Sequence, residues 1–295
     1  MINNNDRMVN VGSVLAGAGI GLAMPYITLT DNFTLQSPEG IKSTREFMQK
    51  LAPEVDTFEN TAKNVKSILE ETGLGAKGVK FSPIDKSTEG VNTLNRIINE
   101  NIKSEKPLMK KLKSVYSQMF KEGANAAYCS NTKDVVVNKE SLFSSAYHEL
   151  GHAKNNNSGL ASKMLCKARG ISPFGVSLVA PVVLAVGLLH KVDKNKPQDQ
   201  KDKVEKTLDF VSNNAGKLTL VSYVPMLAEE GLASIRGVKM AKKYLKPEQL
   251  TKLTGNYIKC WGTYAGVAVG VAGGVALGIK AANAIKEKFT SKQTA

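Results

Sequence analysis

Residues 146–153, Ala146-Tyr147-His148-Glu149-Leu150-Gly151-His152-Ala153, decide how the rest of the chain is read. They contain His-Glu-x-x-His. On an α-helix, positions i and i+4 share a face. His148 and His152 therefore project the same way, one turn apart, and both imidazoles can grip one metal ion. Glu149 lies between them in sequence and can reach a water held at that ion. Two imidazole ligands with a carboxylate base on one helix form the donor set used in zinc-dependent peptide hydrolysis. The chain has three histidines and two fall here, which argues against chance placement. Only His190 is left elsewhere, so a carboxylate is the expected third ligand.

Working outward, residues 125–129 and 134–138 read as two short strands joined by the turn 130–133. Lying directly before the metal helix, a strand there can offer an unpaired edge to an extended peptide; an ordinary stabilising hairpin is the alternative. The helix itself is expected to begin near Asn138 as N-cap, with Leu142, Ala146 and Leu150 on its apolar side. Beyond it, 155–159 mark a loop, 170–189 form an uncharged apolar stretch, and 191–206 a polar connection. The chain then returns through apolar residues 218–228 to Glu229-Glu230. Two carboxylates ending an apolar segment are costly to bury without a partner, and a zinc ion would be one. Both are candidates for the third ligand; the alternative is a solvated helix start with acids at its positive end.

Two further uncharged windows, 8–30 and 260–279, approach the roughly 20 residues that cross a hydrocarbon core. In the second, Gly262, Gly266, Gly270, Gly274 and Gly278 recur every fourth residue and form a ridge without side chains. Each glycine costs about 0.8–1 kcal/mol against alanine in a helix, but such a ridge lets another helix approach closely in lipid. Ser13, Gly17 and Gly21 repeat the spacing, so the two helices are expected to pair. The first window is read as an uncleaved anchor in preference to a signal peptide.

The 295 residues carry a formal charge of +14, with lysine far ahead of arginine. No dense basic run with interleaved aromatics occurs, which disfavours nucleic acid; lysines between apolar segments fit a membrane protein. Cys129, Cys166 and Cys260 are scattered, which argues against a disulfide framework and for small buried apolar roles. Residues 31–122 show helical apolar stripes: Ile41, Phe47 and Leu51; Val55, Phe58, Ala62, Val65 and Leu69, stopped by Gly73; Val91, Leu94, Ile97, Ile98 and Ile102; and Leu108, Leu112, Val115, Tyr116 and Met119. Pro53 suits the first turn of the second of these helices, and 73–78 read as a turn.

The order of hairpin, His-Glu-x-x-His helix, apolar hairpin and Glu-x-x-Ala-Ser resembles the membrane-embedded gluzincin endopeptidases of the HtpX and CaaX-prenyl-protease type, and is still more similar to the YugP-type neutral zinc metallopeptidases. The likeness covers about residues 125–239. It implies Glu230, with Ala233 three residues on, as third zinc ligand, and Asn125, Ala126 and Ala127 as lining the substrate cleft. Ser234 stands where the HtpX type has an aspartate that supports a ligand histidine. The expected architecture is mainly α with a small β-hairpin or sheet, a zincin-like metal helix combined with membrane-spanning helices. Its expected divisions are an N-terminal span in 1–30, a helical soluble region in 31–122, a metallopeptidase core in 123–239 with the apolar hairpin 170–228, and a C-terminal region 240–295 with the span 260–279. The expected function is a zinc endopeptidase using one Zn²⁺ per chain, with Glu149 as base, peptide or protein substrates, and the active site on the cytoplasmic face of a bilayer. A catalytically silent membrane scaffold and a soluble secreted peptidase are the alternatives. Tyr147, Tyr223, His190 and Arg236 are candidate oxyanion donors.

Overall fold

In the computed structural model, residues 38–190 and 196–293 are described, without the side chains of 38, 108, 111, 112, 170–178 and 285–293. The chain is mainly helical with one small sheet. In order come α1 (Pro38–Leu51), α2 (Phe58–Glu71), β1 (Lys80–Ile84), α3 (Thr88–Asn101), α4 (Pro107–Lys121), β2 (Ala127–Cys129), β3 (Asp134–Asn138), α5 (Ala146–Asn156), α6 (Leu160–Leu189), α7 (Lys203–Ala241) and α8 (Pro247–Gln293). The helix ends follow local chemistry. The Thr57 side chain accepts from the Asn60 amide and that of Ser87 from the Gly90 amide, each N-cap worth about 1 kcal/mol. Pro107 opens α4, where its missing N–H costs nothing. Gly73, at φ +65°, ends α2 in the left-handed region that glycine enters freely.

The described residues fall into two compact units. The first joins 38–169 with Leu227–Thr263; the second joins Gly170–Met226 with 264–293.

The first unit holds the sheet, in the order β1-β3-β2. β2 runs antiparallel to β3, with Ala127 opposite Val136 and Cys129 opposite Asp134; this is the expected hairpin. β1 runs parallel to β3, from Lys80 opposite Asp134 to Ile84 opposite Asn138. Sequence reading missed β1 because Pro83 interrupts it; as an edge strand it tolerates the missing donor. Central β3, Asp134-Val-Val-Val-Asn138, is wholly buried. Its valines alternate between two cores. Val135 and Val137 pack with Val65, Ile68, Leu69, Leu74, Tyr147, Leu150 and Leu253. Val136 packs with Ile84, Leu94, Ile97, Ile98 and Phe120.

Three expectations shift. Asn138 does not cap the metal helix. It ends β3 and donates through Nδ2 to the Phe120 and Lys121 carbonyls at the end of α4, 3.0 Å each. Leu142 turns at φ +59°, and a single 3₁₀ turn at Phe143–Ser145 leads into α5 at Ala146. Pro53 likewise stands outside α2, in a loop where Val55 is buried and its amide donates to Ser144 Oγ at 3.2 Å.

In the second unit, glycines set the closest helix approaches. A Cβ on Gly187 would lie 2.3 Å from Ile279, and one on Gly216 would lie 2.9 Å from the Ala272 carbonyl oxygen. The faces of α6 and α7 thus seat on α8 through their own glycines. Along the expected ridge, Gly262 and Gly266 are exposed and would meet nothing within 4 Å, whereas Gly274 and Gly278 are buried. The expected partner helix at 8–30 lies outside the described residues. Within α8, Pro247–Ala284 is long and apolar enough to cross a membrane, with only 39% of its most apolar window buried. A shorter apolar segment, Val179–Leu189, lies in α6. The three cysteines are free and half-buried.

Candidate metal centre

Helix α5 is hidden on nearly every side: Ala146, Tyr147, Glu149, Leu150, Gly151, His152, Ala153 and Asn155 are all buried. A buried carboxylate and imidazole cost several kcal/mol unless paired, and their partners come mainly from α7. The two helices meet backbone to backbone. A Cβ on Gly151 would fall 2.0 Å from the Ala233 carbonyl oxygen, and one on Gly237 would fall 2.4 Å from that of Tyr147. Gly151 is inside the His-Glu-x-x-His motif itself. Its bare backbone lets α7 lie close enough to bring Glu229 and Glu230 to the rings.

His148 Nε2 is 3.1 Å from Glu230 Oε2, and His152 Nε2 is 3.6 Å from the same oxygen. Ligand atoms of His148, His152 and Glu230 all lie within 4.8 Å of one another. Ligands 2.0–2.1 Å from a tetrahedral zinc stand about 3.3 Å apart, a value the two measured spacings bracket. This group could hold a metal ion. Glu229 and Glu230 each pair with the Arg169 guanidinium.

The far side of each ring is tied. Ser234 Oγ lies 3.1 Å from His148 Nδ1, and Glu229 Oε1 lies 2.9 Å from His152 Nδ1. Such contacts fix ring orientation and leave Nε2 for the metal. Glu229, the alternative third ligand, therefore sits behind His152, while Glu230 faces the ring pair. Asn155 Nδ2 donates to Glu229 Oε1 at 2.9 Å, and Arg236 donates in turn to Asn155 Oδ1, Ser158 Oγ and Ser162 Oγ. Arg169 Nε is 3.2 Å from Glu229 Oε2, and its Nη2 is 2.5 Å from Glu230 Oε1. The Tyr257 ring stands edge-on 5.4 Å from that of His148.

These contacts set proton affinities. Burial alone would lower the His152 pKa, but the hydrogen bonds to Glu229 and Glu230 and the charge of Glu149 outweigh it, raising the pKa to about 9. Burial likewise opposes ionisation of Glu230, yet His148 and His152 bring its carboxyl well below the ordinary range. Burial and the neighbouring Glu229 push the Cys166 thiol up to about 11.

Glu149 Oε2 accepts the Tyr128 backbone N–H at 2.6 Å. That bond ties the base candidate to β2, an edge strand of the sheet among the described residues. The expected cleft residues, Asn125, Ala126 and Ala127, directly precede Tyr128 in sequence. Asn125 Oδ1 folds back onto the Ala126 amide, and Ala126 and Ala127 pack against the two cores. What this segment turns toward Glu149 is backbone, through Tyr128. Of the oxyanion candidates, the Tyr147 hydroxyl accepts from Asn64 Nδ2 in the core and Arg236 is engaged as above. His190 pairs with Asp209, itself held by Lys201, in the second unit, which also carries Tyr223. A cavity of about 800 Å³, almost wholly apolar, is lined by Leu227, Ile235, Ile258 and Trp261 and by the two residues beside His148, Ser234 and Tyr257.

Sequence reading did not find Arg169, Asn155, Tyr257 or the Tyr128 amide. Arg169 had one available signal: it is among five arginines in a chain of forty basic residues, and it directly precedes an apolar stretch. No protein-family model, curated protein or solved structure matches this chain.

Proposed function

We propose that the chain is a membrane-bound zinc endopeptidase. The observation that carries this reading is the convergence of His148, His152 and Glu230 on one point, with Glu149, whose charge acts on His152, tied to a strand-edge amide. His148 and His152 would offer Nε2, and Glu230 its Oε2, as ligands. The donor set of two imidazoles and one carboxylate suits zinc and provides three protein ligands, the number that leaves a catalytic position open. When bound, zinc would lower the pKa of a water toward neutrality and polarise a peptide carbonyl.

The chain's own residues do the rest. Glu149 takes the water's proton as it adds to the carbonyl carbon, and delivers it to the leaving amine. The outer edge of β2 aligns an extended peptide by main-chain hydrogen bonding beside that carboxylate. Ser234 and Glu229 hold the two rings through Nδ1. The resemblance to the HtpX, CaaX-protease and YugP types supports the same assignment. The apolar helix within Pro247–Ala284 supports a bilayer location, and the basic flanking segments a cytoplasmic active site.

The test compares wild type with Glu149→Gln for zinc content and for cleavage of casein. The variant is expected to keep its zinc and lose turnover. Undiminished cleavage by a zinc-replete Glu149→Gln protein would remove the base from the mechanism. Carbonate washing of membranes is expected to leave the chain in the pellet; its release would assign it to the soluble alternative.

A further inference from the structure

We propose that Arg169 is a positioning residue that holds Glu230 to one-oxygen ligation, keeping a coordination position free for the reacting water and peptide. The inference rests on the peptidase reading above.

The two Glu230 oxygens have different neighbours. Oε2 faces both imidazole Nε2 atoms at 3.1 and 3.6 Å. Oε1 is held 2.5 Å from Arg169 Nη2. A carboxylate free to rotate can bring both oxygens to a metal, as carboxylates do at other cations. At a four-coordinate site with three protein ligands, the second oxygen would take the place that chemistry needs. A charge-assisted hydrogen bond is roughly twice as strong as a neutral one, so the guanidinium competes well for Oε1.

The same guanidinium places Nε 3.2 Å from Glu229 Oε2, and Glu229 in turn holds His152 Nδ1. The guanidinium therefore pairs closely with a ligand and places its charge, without a hydrogen bond, beside the support of another ligand. A lysine is a single point charge on a flexible stem and cannot keep two carboxylates in fixed register. The rest of the site agrees: arginine also stands at 236, where Asn155, Ser158 and Ser162 must be bridged together.

The experiment loads the full-length protein with Co²⁺ and records its visible absorption and metal stoichiometry. Wild type is compared with Arg169→Gln and Arg169→Lys, and kcat and KM are measured on the zinc forms. Both variants are expected to bind one metal per chain. Their cobalt bands should weaken as coordination rises above four, with kcat falling roughly tenfold or more while KM changes little. Arg169→Lys keeps the charge near the buried Glu229, so it provides the readout if Arg169→Gln does not fold. Wild-type spectra in the variants that fold, even with weaker binding, would make Arg169 merely structural and overturn the inference. A wild-type protein that takes up no metal would sink the peptidase reading and this inference with it.

Discussion

The substitution Gly151→Ala tests the geometry of the site without touching a ligand. On helix propensity alone alanine should stabilise α5 by about 0.8–1 kcal/mol. The structure demands the opposite result. A Cβ at 151 would lie 2.0 Å from the Ala233 carbonyl oxygen, whereas ordinary contact begins near 3.4 Å, so α5 and α7 must part locally by at least about 1.4 Å. Overpacking of this kind costs about 1–3 kcal/mol. The consequence for the metal is larger, because Glu230 rides on α7 and zinc ligand distances tolerate only about ±0.2 Å. Zinc affinity should therefore fall by more than the roughly 100-fold expected for loss of an outer partner. The assay is competition with a chromophoric chelator, alongside thermal melting of the metal-free protein. Gly159→Ala is the control, since a Cβ there meets nothing within 4 Å, and it should bind zinc as wild type does. A Gly151→Ala protein that matches wild type in zinc affinity would refute the claim that close backbone contact brings Glu230 to the rings.

Two further outcomes follow from the contacts around the rings. With its pKa raised to about 9, His152 carries a proton at neutral pH in the metal-free protein, which a metal must displace. Zinc binding near pH 7.5 should release about one proton from this residue, measurable as a buffer-dependent enthalpy in calorimetry; a buffer-independent signal would contradict it. The same shift makes metal-free stability pH-dependent. The folded pKa lies above the unfolded value near 6.5, so the stabilisation is complete below pH ~6.5 and lost as pH rises through ~9. Denaturant titrations across that window should show the decline without metal and not with it. Ser234→Ala removes the hydroxyl on His148 Nδ1 and should weaken zinc binding roughly 10-fold while the melting temperature moves little; unchanged affinity would leave the orientation of His148 to packing against Tyr257.

The contribution of the sequence differed between elements for physical reasons. Helical spacing put His148 and His152 on one face, and the apolar stripes through Val65 and Leu69 and through Leu94, Ile97 and Ile98 lie in the two cores. The turn residues 130–133 revealed the hairpin. Pro83 concealed β1, because a parallel edge strand accepts a residue that reads as a strand breaker. Asn138 resembles a helix cap in sequence, but β3 carries it to the end of α4, where its side-chain amide closes two free carbonyls. The adjacent Glu229 and Glu230 could not be ranked from composition; only the expected Glu-x-x-Ala pattern favoured Glu230. The α5–α7 contact separates them physically, because successive residues on α7 reach opposite sides of the His152 ring, one to Nδ1 and one toward Nε2. Arg169 was illegible because its role depends on where α6 lies in space, far in sequence from the carboxylates it holds. The glycines at 187 and 216 gave no periodic signal, yet each seats closely on α8, whereas a Cβ on Gly262 or Gly266 of the ridge would meet nothing within 4 Å.

The most direct test of the centre is the metal content and X-ray absorption spectrum of the purified full-length protein, beside Glu230→Ala and Glu229→Ala. One zinc per chain in a nitrogen and oxygen shell is expected for wild type, with zinc lost in Glu230→Ala and held more weakly, in the same shell, in Glu229→Ala. A wild-type protein without zinc, or a Glu230→Ala protein that holds it as tightly as wild type, would contradict the assignment of His148, His152 and Glu230 as the ligands.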